Sequence, residues 1–189
     1  MRIVGEYYHV YNRGAHKAQI FHDTSDYHRF ISLLYVANDT KRLLPDWCLK
    51  NIWQADSKEC LVSIFAYCLM PNHFHLGLQE NCDDGIKKFL RKICTAYAMY
   101  YNCKYKHSGT IFQGSAKSKY VNRDEYLRYL IQYIHLNPFG IEEPELMKSA
   151  KSEYLEQAIE YSKTYEFSSY RDYLGELRPQ NLILEVLPR

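Results

Sequence analysis

Residues 61–79 read LVSIFAYCLMPNHFHLGLQ, and the change of pattern inside this stretch decides the fold. Leu61 to Leu69 is a nearly unbroken apolar run, as expected of a strand covered on both faces, and Met70-Pro71-Asn72 breaks it. From His73 to Gln79 the chain alternates, with His73, His75, Gly77 and Gln79 on one face and Phe74, Leu76 and Leu78 on the other. The spacing predicts a hairpin: a central strand, then a partner strand that is polar on one side.

The flanking segments supply the rest of a sheet and its helices. Upstream, Glu6 to Asn12 alternates around Tyr8 and Val10 and meets a turn at Arg13-Gly14, which reads as a first strand. Asp23 or Ser25 then caps a helix carrying Phe30, Leu33, Leu34 and Ala37. Residues 40–58 lack periodicity and are expected to form a long loop or insertion. Downstream, Ile86, Phe89, Leu90, Ile93, Tyr97 and Tyr100 mark a helix opened by Asp83 or Asp84. Lys87, Lys88, Arg91 and Lys92 lie off that stripe, facing solvent or a ligand. A strand is expected over Ile111 to Val121, where Lys117 and Lys119 share one face. A helix follows from Glu125 to Leu136, with Leu127, Leu130, Ile131 and Ile134 as its apolar stripe, and Pro138-Phe139-Gly140 ends it. A tail helix is expected over 144–162, then a turn at Glu166 to Ser169 and an apolar segment, Leu182 to Leu184. The sum is an α+β sandwich of helices on a mainly antiparallel sheet. It divides into a core at 1–140 and a helical C-terminal extension at 141–189, packed on or beside that core.

Composition narrows the function. The chain has 189 residues, 47% of them hydrophobic and 24% charged, which fits one folded domain and argues against disorder. The first residues carry no basic stretch followed by an apolar run, and no segment approaches the roughly 20 apolar residues of a membrane span. A soluble cytoplasmic protein without a membrane partner is expected. The six cysteines form no CxxC pair, so no zinc ribbon or compact disulfide framework is indicated, and they read as reduced, mostly buried thiols. The net charge of +2 hides an asymmetry. From Lys87 to Arg128 ten basic residues face two acids, whereas from Ile141 to Glu160 six glutamates face two lysines. A local positive field of that size favours a polyanion such as nucleic acid. Among nineteen tyrosines, Tyr100, Tyr101 and Tyr105 lie near the end of the basic helix and are available for stacking on bases.

One constellation could carry chemistry. His73 and His75, one residue apart on a strand, leave the same face about 7 Å apart at the backbone, so two imidazoles can share one metal ion. Further ligands must come from another element. Tyr133 and Asn137 are four residues apart on the last core helix and so lie along one flank, which offers a phenol and an amide oxygen. Tyr126 and Tyr129 lie on nearby rows, and spacing alone does not select among the three tyrosines.

Five pieces in order, Tyr8-His9-Val10-Tyr11-Asn12-Arg13-Gly14, Ala66-Tyr67-Cys68-Leu69-Met70-Pro71-Asn72-His73-Phe74-His75-Leu76, Phe112-Gln113-Gly114, Tyr133-Ile134-His135-Leu136-Asn137-Pro138 and Phe167-Ser168-Ser169-Tyr170, resemble the signature of the REP-associated tyrosine transposases, a branch of the HUH single-tyrosine transposases. The resemblance runs from about Tyr7 to Tyr173. It implies a ferredoxin-like or RRM-like fold, His73 and His75 as ligands of a divalent Mg or Mn ion, Asn137 as the third ligand and Tyr133 as the nucleophile. It further implies cleavage and rejoining of single-stranded DNA at hairpin-forming repeats through a 5′-phosphotyrosine link, and favours a monomer over a dimer. Arg13, Lys117 and Lys119 are the preferred phosphate contacts, with the basic helix holding more of the backbone. The chain departs from the family pattern at Ser115, where an arginine is usual, and at Phe139-Gly140-Ile141, where Val-Arg-Ala-Gly is usual. Two other readings use the same residues: a non-catalytic nucleic-acid-binding descendant, and a metal hydrolase acting on a small substrate through the histidine pair. The hydrolase reading leaves the basic stretch unused and supplies no carboxylate base beside the histidines.

Overall fold

The computed structural model describes residues 3–40, 52–53, 59–142 and 154–185. Its core runs β1 (Tyr7–Arg13), α1 (Thr24–Val36), β2 (Val62–Met70), β3 (His73–Glu80), α2 (Gly85–Tyr105), β4 (Lys117–Val121) and α3 (Asp124–Leu136). The four strands form one sheet in the order β2-β3-β1-β4, every neighbouring pair antiparallel. Strand-helix-strand twice over, with β1 and β3 in the middle, is the ferredoxin-like arrangement. This is the α+β fold that the sequence pattern predicts.

Each element follows from local chemistry. Asp23 caps α1 by accepting from the backbone N–H groups of Ser25 and Asp26, while the Asp26 side chain accepts in return from the Asp23 N–H, a reciprocal capping box. The alternation in β1 and β3 sends Tyr8, Val10, Phe74, Leu76 and Leu78 into the larger core beneath α1 and α2. The opposite face of the sheet meets α3, where Leu130 and Ile134 pack with Phe65, Cys68, Met70 and Val121. Asp26 sits fully buried between α1 and α2. It accepts from the hydroxyls of Tyr100 and Tyr105 and from Lys104 Nζ at 2.7–3.0 Å, so its charge is paired.

Four expectations need correction. The strand at β2 is buried along its whole length, yet it lies at one end of the sheet and is not central. Its two faces are buried by the two cores, and the tail covers its free edge: Leu69 N–H donates to Phe167 O, Ser169 N–H to Tyr67 O and Glu185 N–H to Ile64 O, at 2.9–3.0 Å. The strand expected from Ile111 is confined to Lys117–Val121, because Phe112 and Gln113 bond to the end of β1 instead. In the tail, a helix spans Leu155–Thr164 and a short one Tyr170–Tyr173, while residues 143–153, where the expected helix begins, lie outside the described residues, as does most of the expected 40–58 loop. Finally, Cys60, Cys68, Cys82, Cys94 and Cys103 are all free, but only Cys68 is fully buried and Cys103 is exposed; Cys48 lies outside the described residues.

Candidate active site

The pocket lies between the polar face of the sheet and α3. Its floor is β1, β3 and β4, which present His9, Tyr11 and Arg13, then His73 and His75, then Lys117 and Lys119. The registers explain the grouping: Tyr11 pairs with both His75 and Lys117, and His9 pairs with Lys119, so these residues point to the same side. The roof is α3, which contributes Tyr126, Tyr129, Tyr133 and Asn137.

Within the pocket the histidines are tied down individually. His73 Nδ1 lies 2.6 Å from Asn72 Oδ1, and Asn72 Nδ2 donates to Lys17 O. Because that amide is already oriented, its oxygen is the acceptor and His73 carries its proton on Nδ1. Asn137 Nδ2 donates to Tyr133 O at 3.1 Å, and the Asn137 side chain is also hydrogen-bonded to His73. Tyr133 is half-buried and stands edge-on to His75 and His9, with ring centroids 5.5 and 5.8 Å apart. Tyr126, Tyr129 and Tyr133 form a row of near-parallel rings along α3, the first of them capped by Lys119 Nζ at 5.0 Å.

The electrostatics favour neutral imidazoles. Burial, with the Arg13 charge adding to it, holds His73 down to about 4 against a hydrogen bond to Asn137, which favours the protonated ring. Burial and then the Lys119 charge hold His9 to about 4. His75 is held well below the ordinary imidazole range by burial, then by His73, His9 and Arg13. An imidazole must be neutral to bind a metal. Among the described residues no three His, Cys, Asp or Glu gather into a metal-holding group, so a fit rests on Asn137. Two imidazole nitrogens and one amide oxygen, all uncharged, form a mixed donor set that a divalent ion accepts. The residues present therefore fit such an ion.

The predicted site residues thus divide. His73, His75, Tyr133, Asn137, Arg13, Lys117 and Lys119 line one pocket. Lys87, Lys88, Arg91 and Lys92 are not brought to it. Their helix, α2, packs on the other face of the sheet, where Lys87 pairs with Asp84, Lys88 Nζ donates to Asp83 O and Lys92 Nζ to Asp39 O. Tyr100 and Tyr105 spend their hydroxyls on Asp26, and Tyr101 is bonded to His22, likewise away from the pocket. Spacing alone passes over His9, although its alternation with Tyr11 and Arg13 is the signal that puts it on the polar face.

The quoted motifs also touch one another. Asn12 Nδ2 donates to Gly114 O and Gln113 N–H to Arg13 O, which joins the first motif to Phe112-Gln113-Gly114. His135 Nε2 lies 2.8 Å from Ser169 Oγ and its ring stacks on Tyr170, so the last motif anchors the tail to α3.

A family model described as "Transposase IS200 like" matches residues 5–137. Among curated proteins, none matches the chain in sequence. Among solved structures, a REP-associated tyrosine transposase bound to a REP hairpin aligns over 95% of this chain and 87% of that one, with a TM-score of 0.59 at 16% identity. At that identity the likeness speaks for the fold, which it shares. The family match spans β1 to α3 and includes every element that lines the pocket, so the chain belongs to the IS200-like transposase family.

Proposed function

We propose that the protein cleaves and rejoins single-stranded DNA through Tyr133, acting next to hairpin-forming repeats and as a monomer. The observation that carries this reading is the convergence of Tyr133 and Asn137 from α3 with His73 and His75 from β3 in one pocket bordered by Arg13, Lys117 and Lys119. A hairpin ligand is suggested by the structural relative, which is bound to one.

His73, His75 and Asn137 would hold a divalent Mg or Mn ion, which when bound supplies Lewis-acid stabilisation of the charge that develops on a phosphate. Arg13, Lys117 and Lys119 hold the DNA backbone against the sheet by charge. The Tyr133 oxygen attacks phosphorus, the bond to the 3′ oxygen breaks, and the departing oxygen takes up a proton while the phenol loses one to solvent. The products are a 5′-phosphotyrosine on Tyr133 and a free 3′-hydroxyl. Attack by another 3′-hydroxyl reverses the step and joins a new strand, since the ester retains the energy of the broken bond. Tyr133 stands nearer the histidine pair than Tyr126 or Tyr129, since its ring meets His75 and theirs do not, and this favours it as the nucleophile.

The test is incubation of wild type and Tyr133→Phe with labelled single-stranded hairpin DNA and Mn, resolved on a denaturing gel. A covalent protein–DNA band present only in wild type is expected. A band that survives the substitution would move the role to Tyr126 or Tyr129. Binding without a band in either protein, across varied hairpins, would favour a non-catalytic DNA-binding protein.

A further inference from the structure

We infer that His9, on the strand beside the histidine pair, is a positioning residue that fixes the tautomer of His75 so that its Nε2 is free to bind a metal ion. The inference rests on the metal-site reading above and deepens it.

The observation is a buried contact between two imidazoles: His9 Nε2 lies 2.9 Å from His75 Nδ1, with the rings stacked at 5.1 Å between centroids. One of these nitrogens carries the proton and the other accepts it. If His75 Nδ1 donates, His75 Nε2 holds a lone pair and is a ligand. If His9 Nε2 donates, the His75 proton sits on Nε2 and the ring cannot bind a cation. The site works only in the first arrangement, in which His9 is the acceptor. This is the usual relation between a ligating histidine and the group behind it.

The fold builds this contact. On the β3 side the cross-strand partner of His9 is Gly77, two residues beyond His75 on the same face, so no side chain at that position stands between the two rings, while Lys119 faces His9 from β4. Glycine is required there for a separate reason, since a Cβ at position 77 would lie 2.2 Å from the Phe65 ring. His73 receives the matching treatment from Asn72, whose oriented oxygen takes the Nδ1 proton. With Nδ1 of each histidine given to a different acceptor, Nε2 is the atom each has for an ion, and at His73 that ion would take the place of the hydrogen bond with Asn137.

Two measurements test this. The first is the tautomer of His75 in the metal-free wild-type protein, read by long-range proton–nitrogen correlation on histidine-labelled material: a proton on Nδ1 is expected, and a proton on Nε2 overturns the inference. The second is Mn affinity, from loss of the free-ion resonance signal, in His9→Leu, His9→Gln, His73→Ala and His75→Ala, each checked for folding by circular dichroism. His9→Leu is expected to weaken Mn binding by about 10- to 100-fold, and His9→Gln, whose amide oxygen still accepts, to restore most of it. Wild-type affinity in folded His9→Leu, with loss in His75→Ala, overturns the role of His9 alone. Unchanged affinity in both alanine variants would instead remove the metal site itself.

Discussion

Replacing Lys119 by alanine should flatten the salt dependence of DNA binding by an amount the pocket lets one calculate. Arg13, Lys117 and Lys119 are the three pocket residues of fixed positive charge. A protein that neutralises Z phosphates of a single strand binds with a log–log salt slope of about −0.7Z, so three contacts give a slope of about −2. Raising salt from about 50 to 200 mM should then weaken wild type about 18-fold, and Lys119→Ala, with a slope near −1.4, about 7-fold. The assay is fluorescence anisotropy of a short unstructured oligonucleotide, in metal-free buffer and in a Tyr133→Phe background so that no cleavage intervenes. The paired control is Lys87→Ala with Arg91→Ala, which removes two cations from α2 on the opposite face of the sheet and should leave the slope unchanged. Equal slopes in Lys119→Ala and its parent, or a larger change in the α2 control, would refute the assignment of the DNA path to the pocket.

Other consequences are open to direct measurement. Tyr129→Ala removes an exposed ring from the row along α3; it should weaken single-strand binding by about 1–3 kcal/mol, the usual worth of one stacked base, with Tyr129→Phe close to wild type. Lys104→Met strips the charge partner from the fully buried Asp26 carboxylate and should lower stability in urea unfolding by about 3–5 kcal/mol, a loss that Asp26→Asn in the same chain should partly reverse. Gly77→Ala drives a methyl group into the Phe65 ring and should cost about 1–3 kcal/mol, less when combined with Phe65→Leu. His135 is held by burial to about 4, below its unfolded value. The unfolded chain therefore binds the extra proton between those values, and stability is lost as pH falls through that window. For this group the loss is about 2 kcal/mol between pH 7.5 and 5, and His135→Gln should show a pH-dependent drop smaller by that amount.

The residues that announce themselves in sequence are those whose spacing matches a backbone repeat. His73 and His75 at the strand repeat, Lys117 and Lys119 likewise, and Tyr133 and Asn137 at the helical repeat all meet in the pocket. The alternation in β1 and β3 is equally plain, and with it the antiparallel sheet. What spacing cannot carry is which side of a sheet a helix takes. The basic cluster of α2 is as clear in the sequence as any feature, yet the second strand-helix-strand crossover sends it beneath the sheet, away from Tyr133. His9 fails for the reverse reason: its importance comes from a neighbour 66 positions away, and no local pattern encodes that. The apolar run of β2 misleads in the same way, because it reports that both faces are covered and says nothing of whether the edge meets another strand or a tail.

That tail gives the protein two different boundaries. The family match stops at residue 137, but the free edge of β2 is closed by backbone bonds from residues 167, 169 and 185, and the Tyr173 hydroxyl caps Phe65 O. A chain cut after the recognisable core would keep every pocket residue and expose a nine-residue apolar strand with unpaired N–H and C=O groups, the template on which chains add to one another. The matched family core and the closed sheet therefore have different limits here: the match ends at residue 137, whereas the backbone bonds that close the edge of β2 reach residue 185, nearly fifty residues further.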